Sequence, residues 1–169
     1  MWVNVILLIV LFICAATDLK TRKIYNIVIF PGLLLACILR FLQDGWMDLG
    51  LAFLGFFVGA GILLIPYLLG GMGAGDVKLL ALVGALKGTM FVFYTSFYMA
   101  VIGAILALGI LIFRRGAFLR IKSITMFFYA WFNGLKIPLF VDKQSLTLTY
   151  PYGIAITAGA IICLVLNGG

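Results

Sequence analysis

The sequence predicts an all-α fold, a polytopic bundle of transmembrane helices, and three observations predict it. Of its 169 residues, 66% are hydrophobic and only 10% are charged, whereas soluble globular domains are roughly 45–50% apolar and about 25% charged. Its apolar runs are continuous over lengths close to the roughly 20 residues a helix needs to cross a bilayer at about 1.5 Å per residue. The alternating segments of about 10 residues that mark a membrane β-barrel are missing from the pattern. Lipid offers the backbone no hydrogen bonds, so each amide must be bonded within the chain, which favours helices.

Taken in order, the first apolar run is Trp2 to Thr17, ending at Asp18-Leu19-Lys20-Thr21-Arg22-Lys23. It lacks the leading basic residues of a secretory signal, so it reads as a retained span. The second run extends from about Tyr25 to Leu42, with Pro31 tolerated as a kink, and the third from Leu49 to Leu69. A glycine-dense loop, Gly70-Gly71-Met72-Gly73-Ala74-Gly75-Asp76, follows. From Asp76 to Arg114 there is room for two spans with a tight turn near Lys87-Gly88, the first of them (Val77 to about Leu86) short for a full crossing. The last run is Pro151 to Leu166, which brings the expectation to about six spans in one domain covering residues 1–169.

Lys and Arg bias sets the expected orientation. With the N-terminus outside, Lys20, Arg22, Lys23, Lys78, Arg114, Arg115, Arg120, Lys122, Lys136 and Lys143 face the cytoplasm, and only Arg40 and Lys87 face out. The net charge of +7 therefore reports orientation in a cell (cytoplasmic) membrane and does not point to nucleic acid. In residues 117–141, Phe118, Ile121, Ile124, Phe128, Trp131 and Leu135 follow helical spacing, so an amphipathic helix lying on the cytoplasmic surface is expected there. Small residues four apart, as in Gly55-x-x-x-Gly59 and Ala155-x-x-x-Gly159, suit close helix packing.

The inventory of reactive side chains is short. Without histidine, Ser-His and Cys-His nucleophile pairs and His-ligated metals are excluded. Cys14, Cys37 and Cys163 stand far apart in apolar stretches and read as small buried hydrophobes. No metal or other cofactor is expected. All five acidic residues are aspartates. Asp44 and Asp48 fall in an outer polar turn, where Asp48 suits an N-cap for the third span, and Asp142 beside Lys143 reads as a solvated charge. Asp18 sits where the first span leaves the membrane and Asp76 where the fourth enters it, so both reach similar depth at one face. Two carboxyls brought together resist joint ionisation. One can then act as base on water while its protonated partner serves as acid, which is aspartic-protease chemistry. Each also has a plainer explanation, Asp18 as an interfacial charge balanced by Lys20 or Arg22 and Asp76 as an N-cap. Helix dipoles would make Asp76 the ionised member, reinforced by Lys78, and Asp18 the protonated one, which Lys20 and Arg22 would oppose.

The stretch Gly73-Ala74-Gly75-Asp76-Val77-Lys78-Leu79-Leu80-Ala81 resembles the G-x-G-D-x-K-L-L-A signature of the type IV prepilin peptidases. Asp18-Leu19-Lys20-Thr21-Arg22-Lys23-Ile24-Tyr25-Asn26 resembles their first aspartate motif, and Pro151-Tyr152-Gly153 resembles the P-x-G that opens their last span. The resemblance implies a membrane aspartic endopeptidase that removes the short basic leader of prepilin-like precursors at the cytoplasmic face, usually after a glycine that precedes an apolar helix. It also implies that Asp18 and Asp76 are catalytic, with Gly73, Gly75, Lys78 and Asn26 as the supporting frame. Tyr25 departs from the family's usual proline. The cysteine-rich insert of longer members is missing, so the chain resembles the short, peptidase-only branch serving Flp-type or archaeal-type pili. The expected partners are the precursor peptide and the lipid bilayer. Two rival readings are a presenilin-like intramembrane protease, which shares G-x-G-D but uses a Tyr-Asp first motif, and a small transporter or assembly subunit in which the aspartates bind protons.

Overall fold

The structure is a computed structural model that describes residues 2–113 and 152–166. These residues form five helices and no strand: α1 Trp2–Thr21, α2 Asn26–Leu68, α3 Ala74–Lys87, α4 Thr89–Phe113 and α5 Tyr152–Leu166. The chain divides into two compact units, Met1–Gly103 with Tyr150–Gly169, and Ala104–Thr149. Of the second unit, the described residues are the end of α4.

Three helices are long and apolar enough to cross a membrane: α1, α2 and α4. The expectation of about six spans thus meets, among the described residues, three helices that satisfy length and composition, and the difference has three causes, the simplest being that the last expected span, α5, has 15 residues and falls short of the length needed. The expected second and third spans form one 43-residue helix, α2, interrupted at Asp44 (φ −131°, ψ 27°) and Gly45 (φ 64°, ψ −136°). The backbone of Gly45 lies where side-chain-bearing residues rarely go, so this break depends on glycine. The expected fourth span is α3, whose 14 residues reach only about 21 Å against a hydrocarbon layer of about 30 Å. The surface helix expected over residues 117–141 lies outside the described residues, as does Asp142.

Contacts with α3 show that the break in α2 reverses the chain. Along the first arm, Asn26 meets Lys78, Gly32 meets Leu82, and Arg40 meets Leu86, so arm and α3 advance together. Along the second arm, Gly55 lies on Gly84 and Gly59 on Leu80, so the order runs the other way. A Cβ on Gly55 would collide with the carbonyl of Gly84, and one on Gly59 would stand 2.5 Å from that of Leu80. The small residues read from the sequence therefore let the second arm touch the α3 backbone directly.

The α3 helix is the centre of the core. Leu79, Leu80, Ala81, Leu82, Val83, Ala85 and Leu86 are all buried, joined by Leu7 and Leu11 of α1, Ile29 of α2, Val92 of α4 and Ile156 of α5. A helix that is apolar on every side belongs in an interior. Around it the outward surface carries Phe12, Phe30, Trp46, Phe57, Phe93 and Phe97, all exposed. Apolar exposure on this scale exceeds what soluble monomers carry and suits lipid as solvent. α5 runs antiparallel to α1, with Gly153 at Asp18 and Thr157 at Leu11. It is also antiparallel to α4, with Gly159 against Thr95 and Met99, and Cys163 against Phe91. The end of α1 and the starts of α2, α3 and α5 thus lie at one end of the Met1–Gly103 unit. That is the end that carries the aspartates.

Candidate active site

Asp18 occupies the last turn of α1, which closes where Arg22 turns to φ 52° and donates its N–H to the carbonyl of Asp18 at 2.8 Å. The Asp18 side chain is buried, 5% exposed, and its Oδ2 accepts the backbone N–H of Gly153 at 3.0 Å. Asp76 stands in the first turn of α3 and is also buried. Its Oδ2 accepts the N–H of Gly73 at 3.1 Å, while its own N–H donates to the Gly73 carbonyl at 3.1 Å. This is one half of a capping box, because Gly73 has no side chain to complete it. The N-cap reading of Asp76 and the catalytic reading are therefore compatible in one residue.

The two carboxyls interact. Burial pushes the Asp76 carboxyl up to about 6; the Gly73 amide opposes the shift and the charge of Asp18 adds to it. This corrects the dipole argument, which made Asp76 the ionised member of the pair. Desolvation outweighs the helix N-terminus here. The same argument overlooked that Asp18 faces a helix start of its own, the first turn of α5.

The flanking residues serve different ends. A Cβ on Gly75 would lie 2.8 Å from Cβ of Ile24, so this glycine allows α3 to start against the α1–α2 connection. Gly73 has ordinary extended backbone (φ −83°, ψ 149°) and its Cβ would make only van der Waals contact with Asp76, so no conformational demand attaches to it. Lys78 extends its Nζ to Oδ1 of Asn26 at 2.9 Å and lies over the ring of Phe30. Asp18, Asp76, Gly73, Gly75, Lys78 and Asn26, scattered over the sequence, are thus gathered at one end.

A family model described as the type IV leader peptidase family matches residues 5–108, well over half of the chain and including both aspartates. The chain belongs to the type IV leader peptidase family. No curated protein and no solved structure is significantly similar to it. The other described aspartates, Asp44 and Asp48, lie elsewhere, Asp44 at the break in α2. Asp48 does not serve as the free N-cap the sequence suggested; its Oδ1 takes Nη1 of Arg40 at 2.8 Å, and Nη2 of Arg40 donates to the Leu86 carbonyl at 2.9 Å. Close by in the fold, Lys87 donates to Oδ1 of Asn4 at 2.8 Å. Asn4 precedes Asp18 by fourteen residues of helix, so this second polar cluster is about 21 Å from the aspartates.

Among the described residues of the peptidase, no three His, Cys, Asp or Glu side chains gather as a metal site. Cys14 and Cys163 are buried and Cys37 is partly exposed. Sequence reasoning missed the amide of Gly153 on Asp18 and the hydroxyl of Thr157 behind it. The only signal was the glycine of Pro151-Tyr152-Gly153, because backbone donors leave no mark in residue type.

Proposed function

We propose that the chain is a membrane-embedded aspartic endopeptidase that cleaves the short basic leader from prepilin-like precursors, with Asp18 and Asp76 as its catalytic pair. The observation that carries this reading is the burial of two carboxyls from separate helices at one end of the unit, each held by a backbone amide. In the reaction, one carboxylate accepts a proton from water as the water oxygen attacks the scissile carbonyl carbon. The protonated partner donates to the carbonyl oxygen, giving a tetrahedral gem-diol. Collapse breaks the C–N bond as a proton passes to the leaving amine, and the pair returns to its starting charge.

The reading extends to the setting. The two arms of α2, with α1, α3, α4 and α5, would make six crossings in a cell membrane, the short α3 being enclosed by its neighbours. With the N-terminus outside, the aspartates open to the cytoplasmic face, where a precursor's basic leader lies before its apolar helix. Family membership supports peptidase action, and the three long apolar helices support a membrane setting.

The test uses the purified chain in detergent and a synthetic precursor peptide with a basic leader, a glycine at the cut and an apolar segment after it. Asp18→Asn and Asp76→Asn should each insert and fold yet lower cleavage by about 10³-fold or more, since loss of one partner disables proton exchange. Cleavage by the wild type should survive chelators and thiol-blocking reagents. Near-normal cleavage by either folded Asn variant would show that the pair is misassigned.

A further inference from the structure

The hydrogen bond that fixes Asp18's carboxylate comes from far along the chain. Gly153, 135 residues later, donates its backbone N–H to Oδ2 at 3.0 Å, and the amide of Ile154 also bonds to the carboxylate. The approach depends on an absent side chain. A Cβ on Gly153 would stand 2.7 Å from Oδ2, 3.0 Å from Cγ and 3.1 Å from Cβ of Asp18, the first too short for any real methyl group and the others tight enough that the carboxylate or α5 must shift. The φ of Gly153 is not in the left-handed region, so the requirement is for space and not for conformation.

Thr157, one turn further along α5, secures that amide in place. Its hydroxyl donates to the Gly153 carbonyl at 2.8 Å and lies 3.5 Å from the carbonyl of Leu11, two turns before Asp18 on α1. Both ends of this link are buried. The first turn of α5 is therefore tied to α1 at Leu11 and to the carboxylate at Asp18. Gly153 also lies beyond the segment matched by the family model, residues 5–108.

We propose that Gly153 is a positioning residue for Asp18: its amide holds the carboxylate in register with Asp76, and any side chain at 153 displaces it. The inference rests on the peptidase reading given above. Reacting groups must be held to within about 0.5 Å of productive geometry, and a misplacement of about 1 Å can cost 10²-fold in rate. Relieving a 2.7 Å contact to ordinary van der Waals distance moves the carboxylate, or α5, by a comparable amount. Substrate binding surfaces are unchanged by one methyl group beneath Asp18, so the loss should fall on kcat.

The experiment compares kcat and KM for the synthetic precursor peptide across the wild type, Gly153→Ala, Thr157→Val and Gly159→Ala. Gly153→Ala should lose about 100-fold in kcat with KM changed by less than about 3-fold. Thr157→Val keeps its volume but drops both hydroxyl contacts, and should lose roughly 5-fold in kcat alone by loosening the tie. Gly159→Ala is the packing control. Its Cβ would meet the backbone of Thr95 and Met99 on α4 at 2.8 Å, so it should lower thermal stability while folded protein keeps kcat within about 3-fold. Wild-type kcat in Gly153→Ala, or a loss confined to KM, would overturn the positioning role. If Gly153→Ala does not fold, an unchanged kcat in Thr157→Val overturns it. If the wild type cleaves and Asp18→Asn does not, only the positioning role is at stake in these variants. A wild type that cleaves nothing removes the parent reading and this inference with it.

Discussion

Asp76→Asn separates the chemical use of a buried carboxyl from its structural cost. The carboxyl's ordinary value is 3.8 and the fold pushes it up to about 6. At about 1.36 kcal/mol per unit, ionising Asp76 in the folded protein costs about 3 kcal/mol more than in the unfolded chain. The folded state binds this proton more tightly, so the contribution to stability is fully present below about pH 4 and is lost as pH rises through about 6. Asparagine carries no charge at any of these pH values, and its Oδ1 can still accept the Gly73 amide. Asp76→Asn should therefore be more stable than wild type at pH 8 by about 2–3 kcal/mol, and equal to it near pH 4. Thermal unfolding of both proteins in one detergent between pH 4 and 8, followed by tryptophan fluorescence, should show a gap of several degrees that closes toward acid. Parallel curves, or a less stable Asn variant at pH 8, would refute the claim that burial dominates at Asp76. An inactive variant that outlasts the wild type would be the signature of a strained catalytic group.

Two predictions concern residues away from the aspartates. Arg40→Met leaves the carboxylate of Asp48 partly buried without its cation and should cost about 2–4 kcal/mol, whereas Arg40→Met with Asp48→Leu should regain most of that; unfolding midpoints decide, and equal losses in both would count against the pair. Lys78→Met and Asn26→Ala each remove one exposed hydrogen bond and should cost less than about 1 kcal/mol, with the double variant no worse than the poorer single, which a double-mutant cycle measures.

How far the fold was legible depended on which forces left a trace in residue type. Continuous apolar runs marked α1, both arms of α2, α4 and α5 nearly to their ends, because lipid selects side chains along the whole length. The tight turn expected at Lys87-Gly88 is present, with Gly88 at φ 90°. Hydropathy says nothing about which apolar helix is enclosed by the others, and so α3 read as a short span when it is the buried centre. The catalytic candidates were legible because aspartate is scarce in such a chain and because the glycine frame around Asp76 was dense. Their protonation was not. The dipole argument used only the helix each aspartate sits on, whereas Asp18 accepts an amide of α5 and Asp76 is governed by desolvation, both of which are tertiary. Asp48 illustrates the same limit, since its partner Arg40 became a neighbour only once Gly45 folded the arms of α2 back.

The two ends of the Met1–Gly103 unit use polar groups in opposite ways, and Lys78 shows why. At the far end, each cation has a side-chain acceptor: Arg40 the carboxylate of Asp48, and Lys87 the amide oxygen of Asn4. At the near end, two carboxyls are buried together and answered mainly by backbone amides, with the charge of Arg22 nearby. A cation lies only two residues from Asp76, and a direct ion pair would lower the carboxyl's proton affinity. Residues two apart face different sides of a helix, and the ammonium of Lys78 is instead engaged by Oδ1 of Asn26 at 2.9 Å. The first arm of α2 thus engages the ammonium of Lys78. Asp76 keeps a proton affinity near neutrality, as the proposed acid role would require.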